Sequence, residues 1–219
     1  MGAPMNREAP TSAKPGRGVV TENGRPAEFV ELGEALADWP EDHVIVVPGN
    51  HDGRPSDWDA ALRGPLARFA PGSTSGAVRD LGDVLLVAIS TQRYNADPLS
   101  QLGELREYEL HLLEHVTEAA QELGRAVVAV MHHGPQWEPL WMYMGLVNGA
   151  RLRDLLHSCP WLWVCCGHDH RLLDVGRVRL APSVAEHPDP LRVYDVRGTE
   201  LVSMYQSKHA GYYIKAFGI

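Results

Sequence analysis

Hydrophobic and polar positions alternate along this chain in blocks that change period. "RPAEFVELGEALADW" (25–39) places Phe29, Leu32, Leu36 and Trp39 at helical spacing, with Pro26 suited to a first turn, and predicts a helix. The aliphatic run that follows predicts a strand over His43 to Val47, and Asp57 to Phe69 reads as a short helix interrupted near Gly64 and Pro65. "AVRDLGDVLLVAIS" (77–90) holds two strand-like runs around Leu81-Gly82-Asp83, the pattern of a tight hairpin. In "ELREYELHLLEHVTEAAQELG" (104–124) Leu105, Tyr108, Leu112, Leu113 and Val116 fall on one helical face, and Gly124 is a natural stop. A strand "AVVAVM" (126–131), a helix around Ala150 to His157 and a strand "WLWVCC" (161–166) come next. The runs "LLDVG", "VRLAP", "LRVYDV" and "LVSMYQ" read as an antiparallel meander.

Strands alternating with helices and then a run of strands predict a layered α/β protein with mixed sheets. Residues 1–20, mixed Pro, Gly, Ala, Ser and charge without apolar periodicity, read as a poorly ordered tail, and 21–219 as one domain. No linker or internal repeat divides it. With 219 residues, 44% of them hydrophobic, the chain can bury one sizeable core.

Charge and cysteine usage narrow the partners. A formal charge of -8, with no Lys/Arg stripe, argues against a stable nucleic-acid complex. No apolar run is long enough to cross a bilayer, and the amino terminus lacks a secretory pattern. Three cysteines, two of them adjacent at Cys165 and Cys166, fit a reducing cytoplasm better than a disulfide framework.

The chemistry lies where apolar runs end. "VIVVPGNHD" (44–52), "AVVAVMHHGP" (126–135) and "WLWVCCGHDH" (161–170) each pass from a strand-like segment into a loop rich in imidazole. In α/β sheets, sites assemble at the carboxyl edge of the strands, so these loops deliver Asn50, His51, His132, His133, His168 and His170 to one edge. A metal site accounts for that convergence: neutral imidazoles suit Zn, Fe or Mn, and the Asn50 amide adds a hard oxygen. For any one of these histidines an ordinary surface or core role is the simpler reading; three such loops together favour the metal.

"GNHD" (49–52), "MHHGP" (131–135) and "GHDH" (167–170) resemble three of the five motifs of the calcineurin-like metallophosphoesterases, in order and in strand-to-loop context. That resemblance implies a β-sandwich of mixed sheets flanked by helices and a metal-dependent phosphoester hydrolase. It implies Asn50, His132 and His168 as ligands of one divalent ion (Mn, Fe or Zn) and His170 as a ligand of a second. His51 would act as the catalytic residue beside the scissile phosphate, protonating the leaving oxygen or stabilising its charge. The implied substrate is a small phosphoester, first a phosphodiester such as a cyclic nucleotide, with a monoester or nucleotide as alternatives. For His133 the family gives no ligand role, and orienting a neighbour or filling space are the open readings. Asp52 either fixes the His51 ring or caps the following helix or turn, and Asp169 is expected to face solvent or a backbone amide. Cys166 reads as a buried apolar residue rather than a zinc thiolate. Trp137 and Trp141 either stack on substrate or pack a lid.

The family's Asp-x-His and Gly-Asp motifs are missing ahead of "GNHD"; the one Gly-Asp pair, Gly82-Asp83, follows Asn50, and the best register puts Val19 at the metal-bridging aspartate. Three readings follow: an amino-terminally incomplete phosphoesterase lacking its usual first strand, a one-metal enzyme of reduced activity, or a degenerate module that binds a phosphorylated ligand or protein partner. A missing first strand also predicts an exposed sheet edge and self-association through it.

Overall fold

The computed structural model describes residues 24–41, 44–52, 64, 66–69, 77–92, 101–135, 145–182 and 192–206. The tail, most of the 57–69 segment, and Trp137 and Trp141 lie outside them.

Helix α1 (Pro26–Ala35) starts with proline in its first turn, and Glu28 accepts the Arg25 backbone N–H at 3.0 Å, so the amino-terminal end is capped as well as pre-shaped. Only Phe29 of its apolar residues is fully buried. Strands β1 (Ala77–Asp80) and β2 (Val84–Ala88) form the predicted hairpin. Gly82 supplies the positive φ of 85° that the turn requires, and Asp80 Oδ1 accepts its N–H at 2.9 Å.

Helix α2 (Glu107–Leu123) ends at Gly124, whose left-handed φ of 65° closes the last turn. Its buried stripe is Glu109, Leu110, Leu113, Thr117 and Ala120, rotated from the predicted one; Tyr108 faces solvent, and Leu112 and Val116 flank the core. The rotation has a local cause. Glu109 accepts the Arg106 backbone N–H at 3.0 Å and pairs with its guanidinium at 2.7 Å, which lets a carboxylate occupy the inner face.

Strands β3 (Ala126–Met131) and β4 (Leu162–Cys166), with helix α3 (Gly149–Ser158) between them, continue a sheet that includes β5 (Leu173–Val175) and β6 (Val178–Leu180). Its order is β1-β2-β3-β4-β6-β5, with β2, β3, β4 and β6 mutually parallel and both edge strands antiparallel to their neighbours. Among the described residues, strands β7 (Arg192–Arg197) and β8 (Glu200–Gln206) pair only with each other. The predicted four-strand meander is thus two hairpins in two sheets.

Side-chain alternation makes the layers. On one face Leu85, Val87, Val127, Ala129, Leu162 and Val164 pack with Leu110, Leu113 and Leu152 from the helices. On the other, Val84, Ala126, Val128, Trp163 and Cys165 pack with Tyr194, Val196 and Leu201 of the small sheet. Trp163 Nε1–H donates to the Thr199 carbonyl at 2.9 Å, pinning the second layer. The predicted layered α/β arrangement is the one formed.

One predicted strand does not form. Residues 44–49 join no ladder among the described residues, and Val46 N–H instead donates to the Phe69 carbonyl at 2.8 Å. No helix among the described residues is long and apolar enough to cross a membrane.

Candidate metal centre

Because β2, β3 and β4 are parallel, their carboxyl ends lie at one edge of the sheet. Met131 and Cys166 are register partners, so the two imidazole loops begin side by side, and Gly167 N–H donates to the His132 carbonyl at 3.1 Å. His168 and His170 adopt positive φ values of 68° and 52°. This conformation is uncommon for a residue with a Cβ and costs on the order of 1 kcal/mol at each position. It reverses the loop so that His168 is buried while His170 is exposed.

The "GNHD" loop arrives without a strand and is closed on itself: Asp52 Oδ2 accepts the Gly49 N–H at 2.8 Å while Asp52 N–H donates to the Gly49 carbonyl at 3.1 Å. Asp52 thus closes the turn that precedes it, while the segment it was expected to cap, from Gly53 on, lies outside the described residues. Gln92 Nε2–H holds the Gly49 carbonyl at 3.0 Å.

Asn50 Oδ1 and His168 Nδ1 both stand 3.0 Å from His132 Nε2. The Asn50 carboxamide oxygen and a His168 ring nitrogen thus both face the same ring nitrogen of His132. His132 and His168 are 4% and 5% exposed, and burial drives both rings to the neutral form. His168 is pushed down to about 4, with the charges of His170 and His51 adding to the desolvation. His132 is held well below its ordinary value by burial and then by its histidine neighbours, His51 and His170 included. These two predicted site residues thus lie within electrostatic reach. His51 is half-buried, and His170 stands outside the group of three imidazoles, His132, His133 and His168, whose ring nitrogens lie within 4.8 Å of one another.

His133 completes that group although the motif comparison gave it no ligand role. It is fully buried, and burial pushes its ring down to about 3, while the backbone carbonyls of Gln101 and Thr91 act in the opposite direction. Thr91 Oγ1 accepts the His133 backbone N–H at 3.1 Å and lies 2.9 Å from its Nδ1. Thr91 was not singled out in the sequence. It follows β2, the one strand at this edge whose loop carries no histidine, so the imidazole signal passed over it. Asp169 is buried rather than solvent-facing, as is Cys166, whose thiol burial pushes strongly up; neither belongs to the imidazole group.

The residues fit a cation. Three neutral imidazoles and a carboxamide oxygen converge, and the Nε2 atoms of His133 and His168 are buried with no hydrogen-bond partner. An orphaned polar atom of this kind costs ~1–3 kcal/mol unless something is bound there.

The layered fold and the converging imidazoles define a candidate metal-binding site at one edge of an α/β sheet. The chain belongs to the calcineurin-like phosphoesterase family, whose model matches residues 17–172. The crystal structure of TT1561 of Thermus thermophilus is similar at 16% identity, covering 82% of this chain and 79% of that one with a TM-score of 0.46. No curated protein matches the chain.

Proposed function

We propose that this protein hydrolyses small phosphoesters, a phosphodiester first among them, with a divalent ion held by Asn50, His132 and His168. The observation that carries the reading is the convergence of Asn50 Oδ1 and His168 Nδ1 on His132 Nε2, each at 3.0 Å. Bound there, the ion supplies Lewis-acid polarisation of a phosphoryl oxygen and of water. The chain supplies the rest. Buried, neutral imidazoles present lone pairs instead of protons, and the loop closed by Asp52 fixes where Asn50 points. In this reading His51, next along that loop, hands a proton to the departing oxygen. His170, on the exposed end of its loop, is the residue left for a second ion, and a cytoplasmic setting fits free, partly buried thiols.

The test is hydrolysis of bis(p-nitrophenyl) phosphate by protein loaded with Mn2+ or Zn2+, with metal content measured on the same sample. Bound metal together with activity that His51→Ala reduces by a factor of ~100 or more is expected, the range of acid–base contributions. Bound metal with no turnover of diester, monoester or nucleotide would leave a phospholigand-binding module as the better description.

A further inference from the structure

The least explained group at the sheet edge is His133. It is 0% exposed, its Nε2 has no hydrogen-bond partner, and its ring centroid lies 4.8 Å from that of His132 and 4.5 Å from that of His168. A histidine retained only for packing would leave that nitrogen orphaned in the core, where an apolar residue of similar volume costs less. Two features fix how the ring sits. Thr91 Oγ1 lies 2.9 Å from Nδ1, and Gly103 leaves the ring's flank bare, since a Cβ there would stand 2.4 Å from His133 Cγ and Nδ1. With Nδ1 turned to the hydroxyl, Nε2 is the nitrogen left without a hydrogen-bond partner, in a ring packed beside the other two imidazoles.

We propose that His133 is itself a metal ligand through Nε2, so that His132, His133 and His168 with Asn50 form a three-imidazole, one-carboxamide site for a single cation. This rests on the metal-dependent reading above and adds a ligand to it. Ring nitrogens up to 4.8 Å apart must close to the ~3.4 Å separation of two nitrogens at Zn–N distances of ~2.0–2.1 Å, a shift of up to ~1.4 Å shared between rings. No carboxylate belongs to the imidazole group among the described residues. A neutral, nitrogen-rich donor set favours Zn2+, Co2+ or Fe2+ over Mg2+, and three protein imidazoles on one ion leave room for water.

Cadmium-113 and nitrogen-15 NMR tests this without an activity readout. Protein labelled with 15N-histidine and loaded with 113Cd2+ should show one-bond 113Cd–15N coupling at three rings, one of them His133 by correlation to its own backbone amide. His133→Asn should leave two coupled rings and weaken Cd2+ binding ~10-fold or more. The wild-type count does not depend on that variant folding. Coupling at His132 and His168 with none at His133 overturns the inference while leaving the hydrolase reading intact. A third coupled ring that proves to be His51 or His170, with none at His133, also overturns it. Failure of the wild-type chain to bind Cd2+, Zn2+ or Co2+ overturns both.

Discussion

Gly103→Ala is the sharpest probe of how this edge is built. The glycine's φ lies outside the left-handed region, so an alanine meets no backbone penalty there, and any cost comes from space. The added Cβ would lie 2.4 Å from two ring atoms of His133 and 2.7 Å from the Thr91 carbonyl oxygen, where real contacts stay beyond 3 Å. Neither side yields easily. Gly103 N–H donates to the Gly145 carbonyl at 2.9 Å, its own carbonyl accepts from Val147 N–H at 2.9 Å, and the Thr91 carbonyl accepts from Glu104 N–H at 3.0 Å. Overpacking of this kind costs ~1–3 kcal/mol, and breaking one of those hydrogen bonds to relieve it adds about 1 kcal/mol, so a loss of about 3 kcal/mol is expected. For a chain of this size that lowers the melting temperature by roughly 6–12 °C. Thermal unfolding in EDTA and with Zn2+ measures both the loss and its coupling to metal, because the displaced atom is His133 Nδ1. Gly124→Ala is the contrast: at a φ of 65° with nothing within 4 Å, it should cost about 1 kcal/mol and leave metal binding unchanged. If Gly103→Ala melts within ~2 °C of wild type and binds Zn2+ equally well, the packing around His133 described above is wrong.

Gly134→Ala would place a Cβ 2.6 Å from Cys166 Sγ, costing ~1–3 kcal/mol; the double variant Gly134→Ala/Cys166→Ala should recover most of that in urea unfolding, and no recovery would put the strain elsewhere. The metal-free protein should weaken in acid. With the ring pKa ordinarily 6.5 but held to about 3 at His133 and about 4 at His168, folded and unfolded chains are both neutral above 6.5, and stability is full. As pH falls below 6.5 the unfolded chain takes up protons the folded one refuses, so stability drops by up to ~1.4 kcal/mol per pH unit per ring until the folded values are reached. A melting temperature in EDTA that stays flat from pH 7 to pH 5 would contradict the neutral, buried imidazoles.

Much of this was legible in the chain because it depends on local periodicity and turn chemistry. The hairpin around Gly82, the stop at Gly124, and the strands ending at Met131 and Cys166 stand where the pattern put them. The meeting of His132 and His168 was legible too, since the parallel strands before them end at one edge, whereas Asn50 reaches them on a loop with no strand beneath it. Where periodicity misled, long-range partners decided. Residues 44–49 have a strand's composition but join no ladder among the described residues, Val46 N–H bonding the Phe69 carbonyl instead, and α2 turned its stripe because Arg106 pairs with Glu109 on the inner face.

The sequence by itself determined the layered fold, the family and the loops that carry the imidazoles, because period-two alternation and imidazole-rich strand ends are properties of neighbouring positions. Only the tertiary structure decided that His133 joins the imidazole group and His170 lies outside it. That choice depends on Thr91, Gly103 and a positive φ at His168, contacts between residues 42 and 30 positions apart and a backbone turn that no spacing along the chain encodes.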